Sequence, residues 1–344
     1  MSTGKEAKAA FKKAAVWGAA VAAASGDGLL FISEKITRTR EHLPDDSAGQ
    51  AFACQADRGL ITCGGDLSAH LRYQGLEVLL AMALGQAGAP AHPGDSAYVH
   101  SLRATADTSG LFGTLALYKG FSVHEHPAVK VDGFTISGEA GQPLGVSFNL
   151  ICDDLNLNTT SGVNTNAVLQ AVSQPALGNR VLFRQGDFWI NDASDAALTA
   201  AHAVHPNRFS LSFRRKLASD HLAGGNDRIA EPVGAAPPEV SLNLEFPRYT
   251  SDTFLSDLGG DTRKKMRIAF GGDLIEPGCN YALEILLPHL VVTNAEAAVD
   301  KDGKIAHPIT LDCLGTQTER AGMTGVTAPL ALNLTNTLAG NPLA

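Results

Sequence analysis

Alternation of apolar and polar residues is the dominant pattern along this chain. Leu67, Ala69, Leu71 and Tyr73 point one way, and Ser68, His70 and Arg72 the other. The same period of two runs from Phe209, with Ser210 and Ser212 on the polar side, and from Val240 to Phe246, where Ser241, Asn243 and Glu245 are polar. It returns at 307–313 with Thr310 and Asp312. Segments 133–137 and 144–152 set Phe134, Ile136, Val146, Phe148 and Leu150 against Thr135, Ser137, Ser147 and Asn149. Such alternation predicts strands with one dry and one wet face. Leu76 to Leu84 is instead apolar almost throughout and stops at Gly85, which predicts a short helix on the dry face. Phe254 to Leu258, stopping at Gly259-Gly260, predicts another.

These signals come twice in one order: strand, long polar stretch, strand, short helix, variable middle, hairpin. Repetition at about half the chain length predicts two similarly folded units. The reading divides the chain into an N-terminal arm (1–30), a first unit (31–155), a connector (156–179), a second unit (180–315) and a tail (316–344). The fold class expected is mainly β, with two tandem sandwich or barrel units, each flanked by a short helix. Lys5 to Lys13 reads as a short basic helix, and Ala328 to Leu334 as an added edge strand. The polar stretches Glu41 to Gly65 and Ala218 to Pro238 read as long surface loops.

Composition narrows the function. With 344 residues and 44% apolar content, the chain is long enough for two cores. Its formal charge of −8 divides evenly between the halves. That argues against a surface that grips nucleic acid, which needs clustered cations. The Ala-rich start is broken by Gly18, Ser25, Gly26 and Gly28, so it is read neither as a signal peptide nor as a membrane span. The five cysteines are accordingly read as reduced thiols of a cytoplasmically made protein. Cys152 and Cys313 fall at equivalent places in the two halves and read as small core residues; Cys54 and Cys63 share one loop, and no pairing is assigned to them.

No catalytic signature is present. His124-Glu-His126 offers two imidazoles, but spacing nominates no third ligand. Asp300-Lys-Asp-Gly303 resembles the start of a calcium loop without its closing glutamate and reads as a hairpin turn. Nucleophile-elbow and dinucleotide-binding patterns are missing. No enzyme activity, cofactor or metal is therefore assigned.

Taken together, Lys5 to Trp17-Gly18, Gly65 to Gly75, Leu79 to Gly85 and above all Val131-Asp-Gly-Phe-Thr-Ile-Ser-Gly-Glu-Ala-Gly-Gln-Pro-Leu144 resemble the tail tube proteins of long-tailed bacteriophages, in the larger class with two fused tube domains. The resemblance implies a structural virion protein, made in the host bacterial cytoplasm, whose trimers form pseudo-hexameric rings stacked into a hollow DNA conduit. It implies self-association, contact with tape-measure, terminator and baseplate or tip proteins, DNA passing without specific binding, and no membrane insertion. The lumen would be lined by Ser68, His70, Arg72, Thr135, Ser137, Ser147, Asn149, Ser210, Ser212, Ser241, Asn243, Glu245, Thr310 and Asp312. Rings would stack through Glu41, Asp45, Asp46, Asp57 and Arg58 in one loop and Asp220, Asn226, Asp227 and Arg228 in the other. The rival readings are the tube of a contractile tail or injection device, another phage structural protein such as a tail terminator or decoration protein, and a β-rich enzyme or carbohydrate-binding module.

Overall fold

The alternating segments become antiparallel strands, and both apolar segments ending in glycine become helices. The computed structural model describes residues 4–158, 162–224, 227–299 and 303–344. Its first half contains β1 (Lys8–Lys13), β2 (Gly28–Leu29), β3 (Ser33–Pro44), β4 (Ala56–His70) and α1 (Glu77–Leu84). There follow β5 (Gly85–Ala87), β6 (Tyr98–Ala104), β7 (Gly113–Tyr118), β8 (Val123–Glu139), β9 (Gly145–Cys152), β10 (Asn156–Asn158) and α2 (Asn166–Ala171). The second half contains β11 (Gly186–Asp192), β12 (Ala203–Val204), β13 (Arg208–Arg214), β14 (Leu217–Ala218), β15 (Val233–Gly234) and β16 (Glu239–Phe246). It ends with α3 (Thr253–Gly260), β17 (Arg263–Glu276), β18 (Cys279–Asn294), β19 (His307–Cys313) and β20 (Ala331–Asn336). The protein is mainly β, as the alternation predicts.

Matching elements keep matching neighbours. In the first half β2, β1, β7 and β8 pair in that order, and β3, β4, β9 and β8 pair in that order. In the second half the corresponding orders are β12, β11, β17, β18 and β13, β16, β19, β18. The long strands β8 and β18 thus each serve two layers, crossing from one to the other partway along. A proline marks each crossing: Pro127 and Pro288 sit where the ladder to β7 or β17 slips register. Proline lacks a ladder donor, so a bulge is where a strand accepts one. The offset between these prolines is the same as that between Cys152 and Cys313.

Between the layers lies one apolar core. Leu67, Phe134, Ile136, Val146 and Phe148 meet Phe209, Leu211, Phe213, Leu242, Leu244, Ile309 and Leu311, all buried. Phe134 stacks on Phe213 with ring centroids 5.5 Å apart, directly beneath the join between the halves. Helix α1 buries every residue but Val78 and ends at Gly85 in the left-handed conformation. The buried Arg215 guanidinium donates to the carbonyls of Ala83, Leu84 and Thr105, satisfying the end of that helix.

Four sequence expectations differ from the structure. Lys8–Lys13 is a strand, not a helix: Ala9, Ala10 and Phe11 are buried as β1 pairs with β7 along its whole length, and tertiary pairing overrides the local helix propensity of Ala and Lys. Most of Glu41 to Gly65 is not loop, because β3 and β4 stay paired out to Pro44–Ala56 and leave only the tip unpaired. The connector carries β10, paired with β8, and α2. Finally, β20 is not an edge; it lies between β18 and β6 and so ties the variable middle of the first half to the second. Among the described residues, no helix is long and apolar enough to cross a membrane.

Candidate functional site

One surface stands out from the pairing itself. Strand β8 joins β13 through seven consecutive pairs, from Gly133–Arg214 to Glu139–Arg208. This seam fuses two four-stranded layers into one run, β3-β4-β9-β8-β13-β16-β19-β18. Gly133 permits the close approach, since a Cβ there would lie 2.2 Å from the Phe213 carbonyl oxygen.

Cross-strand register turns the polar halves of the alternation into rows. The first row reads Ser33, Ser68, Ser147, Thr135, Ser212, Ser241, Asp312 and Val291, one residue from each of the eight strands. Beside it run His70, Gly145, Ser137, Ser210, Asn243 and Thr310. On the other side Asn149 lies between Asp66 and Gly133. Glu245 pairs with Arg208, whose guanidinium lies 3.7 Å from it and 3.1 Å from Glu139. Neighbouring hydroxyls and amides bond to one another: Ser68 to Ser147 at 3.2 Å, Thr310 to Asn243 at 2.9 Å, Asn149 to Asp66 at 3.2 Å. Thirteen of the fourteen residues expected on a lumen therefore share one face. Arg72 does not: β4 ends at His70, and Arg72 bridges to Arg180 and donates to the Gly178 carbonyl.

The electrostatics of this face are mild. Burial, with Arg180 and Arg72 alongside, pushes the His70 imidazole below its ordinary value, so it is neutral at neutral pH. Arg208 and Arg214 are the cations at the seam, each with an acidic partner at Glu139 and Glu245, or at Asp132. Sequence reading missed both arginines, although they continue the polar phase of Ser210 and Ser212 at the two ends of β13.

The two polar stretches are placed differently. Strands β3 and β4 carry Glu41, Asp57 and Arg58 out on an exposed arm, with Asp45 and Asp46 at its tip. The Ser47 hydroxyl and N–H hold the Asp45 carboxyl below its ordinary range. Residues 227–232 instead fold back on the first half: Asp227 pairs with Arg40 at 2.5 Å, Arg228 with Asp154 at 2.9 Å, and the buried Ile229 accepts from the Trp17 indole. Asp220 is exposed, and Asn226 lies outside the described residues. The reading of both stretches as free surface loops thus holds for the arm tip and fails for 227–232, because ion pairs and an apolar anchor fasten the latter.

Comparison with curated proteins gave no match. Among solved structures the chain is similar to one described as the cryo-EM structure of the anti-feeding prophage (AFP) baseplate, 6-fold symmetrised. The identity is 16%, over 41% of this chain and 91% of that one, with a TM-score of 0.29, and a likeness so slight carries no argument. The family described as phage tail tube protein matches residues 4–313, which span both halves and nearly the whole described structure. The chain belongs to the phage tail tube protein family and is a structural component of the phage tail.

Proposed function

We propose that three copies of this chain close a ring through their long inner sheets, and that stacked rings make the hollow conduit through which DNA passes. The reading rests on one observation: eight strands run continuously with one apolar face, one polar face and two open edges, β3 and the end of β18. Residues 31–155 and 180–315 are taken as two copies of one unit, so the β8–β13 seam is the pattern for the contact between chains. By the offset from Cys152 to Cys313, residues 133–139 of β8 correspond to 294–300. The first residues of β3 and β13, Ser33 and Arg208, correspond as well. Each follows a bulge in which the preceding N–H, of Ile32 or Asn207, bonds to the carbonyl opposite that residue, on Ser68 or Glu245. Segment 294–299 of one chain would therefore pair with 34–39 of the next.

Geometry supports closure. The row through Ser33 arrives at Ser212, four residues beyond the counterpart of Ser33. Each four-stranded unit thus shifts register by four residues, and twenty-four strands from three chains accumulate an equal shear. With a rise of about 3.3 Å and a strand spacing of about 4.8 Å, the tilt is about 35° and the backbone diameter about 45 Å. Short side chains on such a wall leave room for a duplex. Ser, Thr and Asn with scattered carboxylates, and with Arg208 and Arg214 each held by an acidic partner, offer phosphates little cationic surface from which to release counterions, so DNA slides instead of binding. Closure also removes the open edges that would otherwise invite aggregation. The exposed arm is assigned to the next ring, and the tube ends to tape-measure, terminator and baseplate or tip proteins. No catalysis is proposed.

Cryo-electron microscopy of concentrated purified chain tests this. Threefold, nearly sixfold hollow rings with Ser68 and Ser241 facing the bore are expected. Rings with those residues on the outside, or a chain that stays monomeric at every concentration, would defeat the proposal.

A further inference from the structure

A buried cluster away from the polar face has a composition the fold does not require. Cys63 on β4 lies directly opposite Cys152 on β9, and His126 reaches them from the outer part of β8. The Cys63 Sγ is 3.6 Å from His126 Nδ1, and the three ligating atoms lie within 4.8 Å of one another. All three residues are buried, at 4%, 0% and 2% exposure.

The second half supplies the comparison. Val129 faces Cys152 and Leu290 faces Cys313, so His126 corresponds to Leu287. Cys63 corresponds to Val240, one position beyond the last pair of β16 with β19. The equivalent place is thus filled by Val240, Leu287 and Cys313, all buried. Aliphatic side chains pack this site adequately, so Cys63 and His126 are not there for packing. Their hydrogen bonds compete for one atom. Nδ1 also lies 3.1 Å from the Asp154 carbonyl oxygen. A single ring nitrogen either donates to that carbonyl or accepts from the thiol, and cannot serve both.

We propose that Cys63, Cys152 and His126 bind a borderline-soft divalent cation of the zinc type, with the Asp154 carbonyl or a water as fourth ligand. Two sulfurs and an imidazole are the donor set such ions select. Metal–sulfur bonds of about 2.3 Å and metal–nitrogen bonds of about 2.0–2.1 Å in a tetrahedron put neighbouring S and N ligands about 3.6 Å apart, the separation of the Cys63 Sγ and His126 Nδ1. Binding forms two metal–sulfur bonds and releases both thiol protons to solvent, and the two thiolates neutralise the dication. The ion would tie β4 and β9 to the outer part of β8. Its position is the root of the exposed arm, where Arg38 faces Cys63 across the ladder and pairs with Asp154. The inference does not depend on tube assembly.

The test uses the purified full chain, reduced and loaded with Co²⁺ or Zn²⁺, then freed of excess metal. Wild type should retain an equimolar amount of metal, show the thiolate-to-cobalt charge-transfer band, and unfold at a higher temperature with metal than without. The double variant Cys63→Val/His126→Leu copies the second half and should fold, yet retain no metal at this site and show no such band. Cys54→Ser/Cys279→Ser should bind as wild type does. The proposal is overturned if wild type retains no metal, if its cobalt spectrum lacks the thiolate band, or if the Val/Leu variant binds equally. A Cys63–Cys152 disulfide in protein purified without reductant would overturn it too.

Discussion

Replacing Ala297 by proline should separate folding from ring closure. In the seam within the chain, Arg215 N–H bonds to the Asp132 carbonyl at 2.6 Å and Ala140 N–H to the Asn207 carbonyl at 2.9 Å. These contacts fix the phase of the ladder, so Ile136 and Leu211 exchange the central pair of bonds. Their counterparts in the proposed contact between chains are Ala297 and Ile36 of the next copy. Ile36 suits that role, since its N–H bonds to the Glu34 carboxylate at 3.2 Å, on what is an open edge. Ala297 lies outside any strand in the isolated chain, so proline there leaves every described strand intact. Each net hydrogen bond contributes about 1 kcal/mol, and losing a pair costs about 2 kcal/mol per seam. Over the three seams of a ring that is about 6 kcal/mol, or about four orders of magnitude in the trimerisation constant. Because that constant scales with the square of concentration, the midpoint of assembly should rise about a hundredfold. Sedimentation velocity across a dilution series reads the midpoint, and thermal unfolding of the dilute monomer confirms that the fold is unchanged. Ala297→Val is the control, expected to assemble as wild type does. Assembly of Ala297→Pro at the wild-type concentration would refute the seam.

Other outcomes follow from the same geometry. Phe213→Ala, which empties the core beneath the β8–β13 seam, should cost about 3–5 kcal/mol in urea unfolding; a loss of less than 1 would contradict that packing. Glu245→Lys with Asp312→Lys should leave tubes intact but impair DNA delivery, and unchanged infectivity with normal tubes would count against the polar face as a lumen. Deleting 46–54 should leave folded chains that form rings without stacking, whereas long tubes from that deletion would remove the arm from the stacking contact. Arg40 donates to the Asp227 carboxylate and lowers its folded pKa, so the contact contributes fully above the unfolded value of about 3.9 and is lost as pH falls through the folded one. Hydrogen exchange in 227–232 should therefore quicken only below about pH 4, and loss of protection near neutrality would show that another group holds the segment.

Much of this architecture was legible because a strand's period of two is local. Ser68, Ser147, Ser212 and Ser241 declare their face through their immediate neighbours, and Gly85 announces the end of α1 on its own. A further local signal went unread: Pro127 and Pro288 share the offset of Cys152 and Cys313, and a proline inside a strand pattern marks a bulge. Lys8–Lys13 misled because Ala and Lys favour a helix in isolation, while burial of Ala9 and Phe11 against β7 is a long-range gain.

What the sequence determined by itself, then, is which residues alternate and where helices stop. These follow from steric and solvation preferences within a few residues. Only the tertiary structure decided that β8 lies beside β13, that one row, mostly hydroxyls, crosses eight strands, that 227–232 is fastened to the first half, and that Cys63, His126 and Cys152 meet. Each is a contact between distant segments, set by the register and packing of whole layers, and no local pattern encodes it.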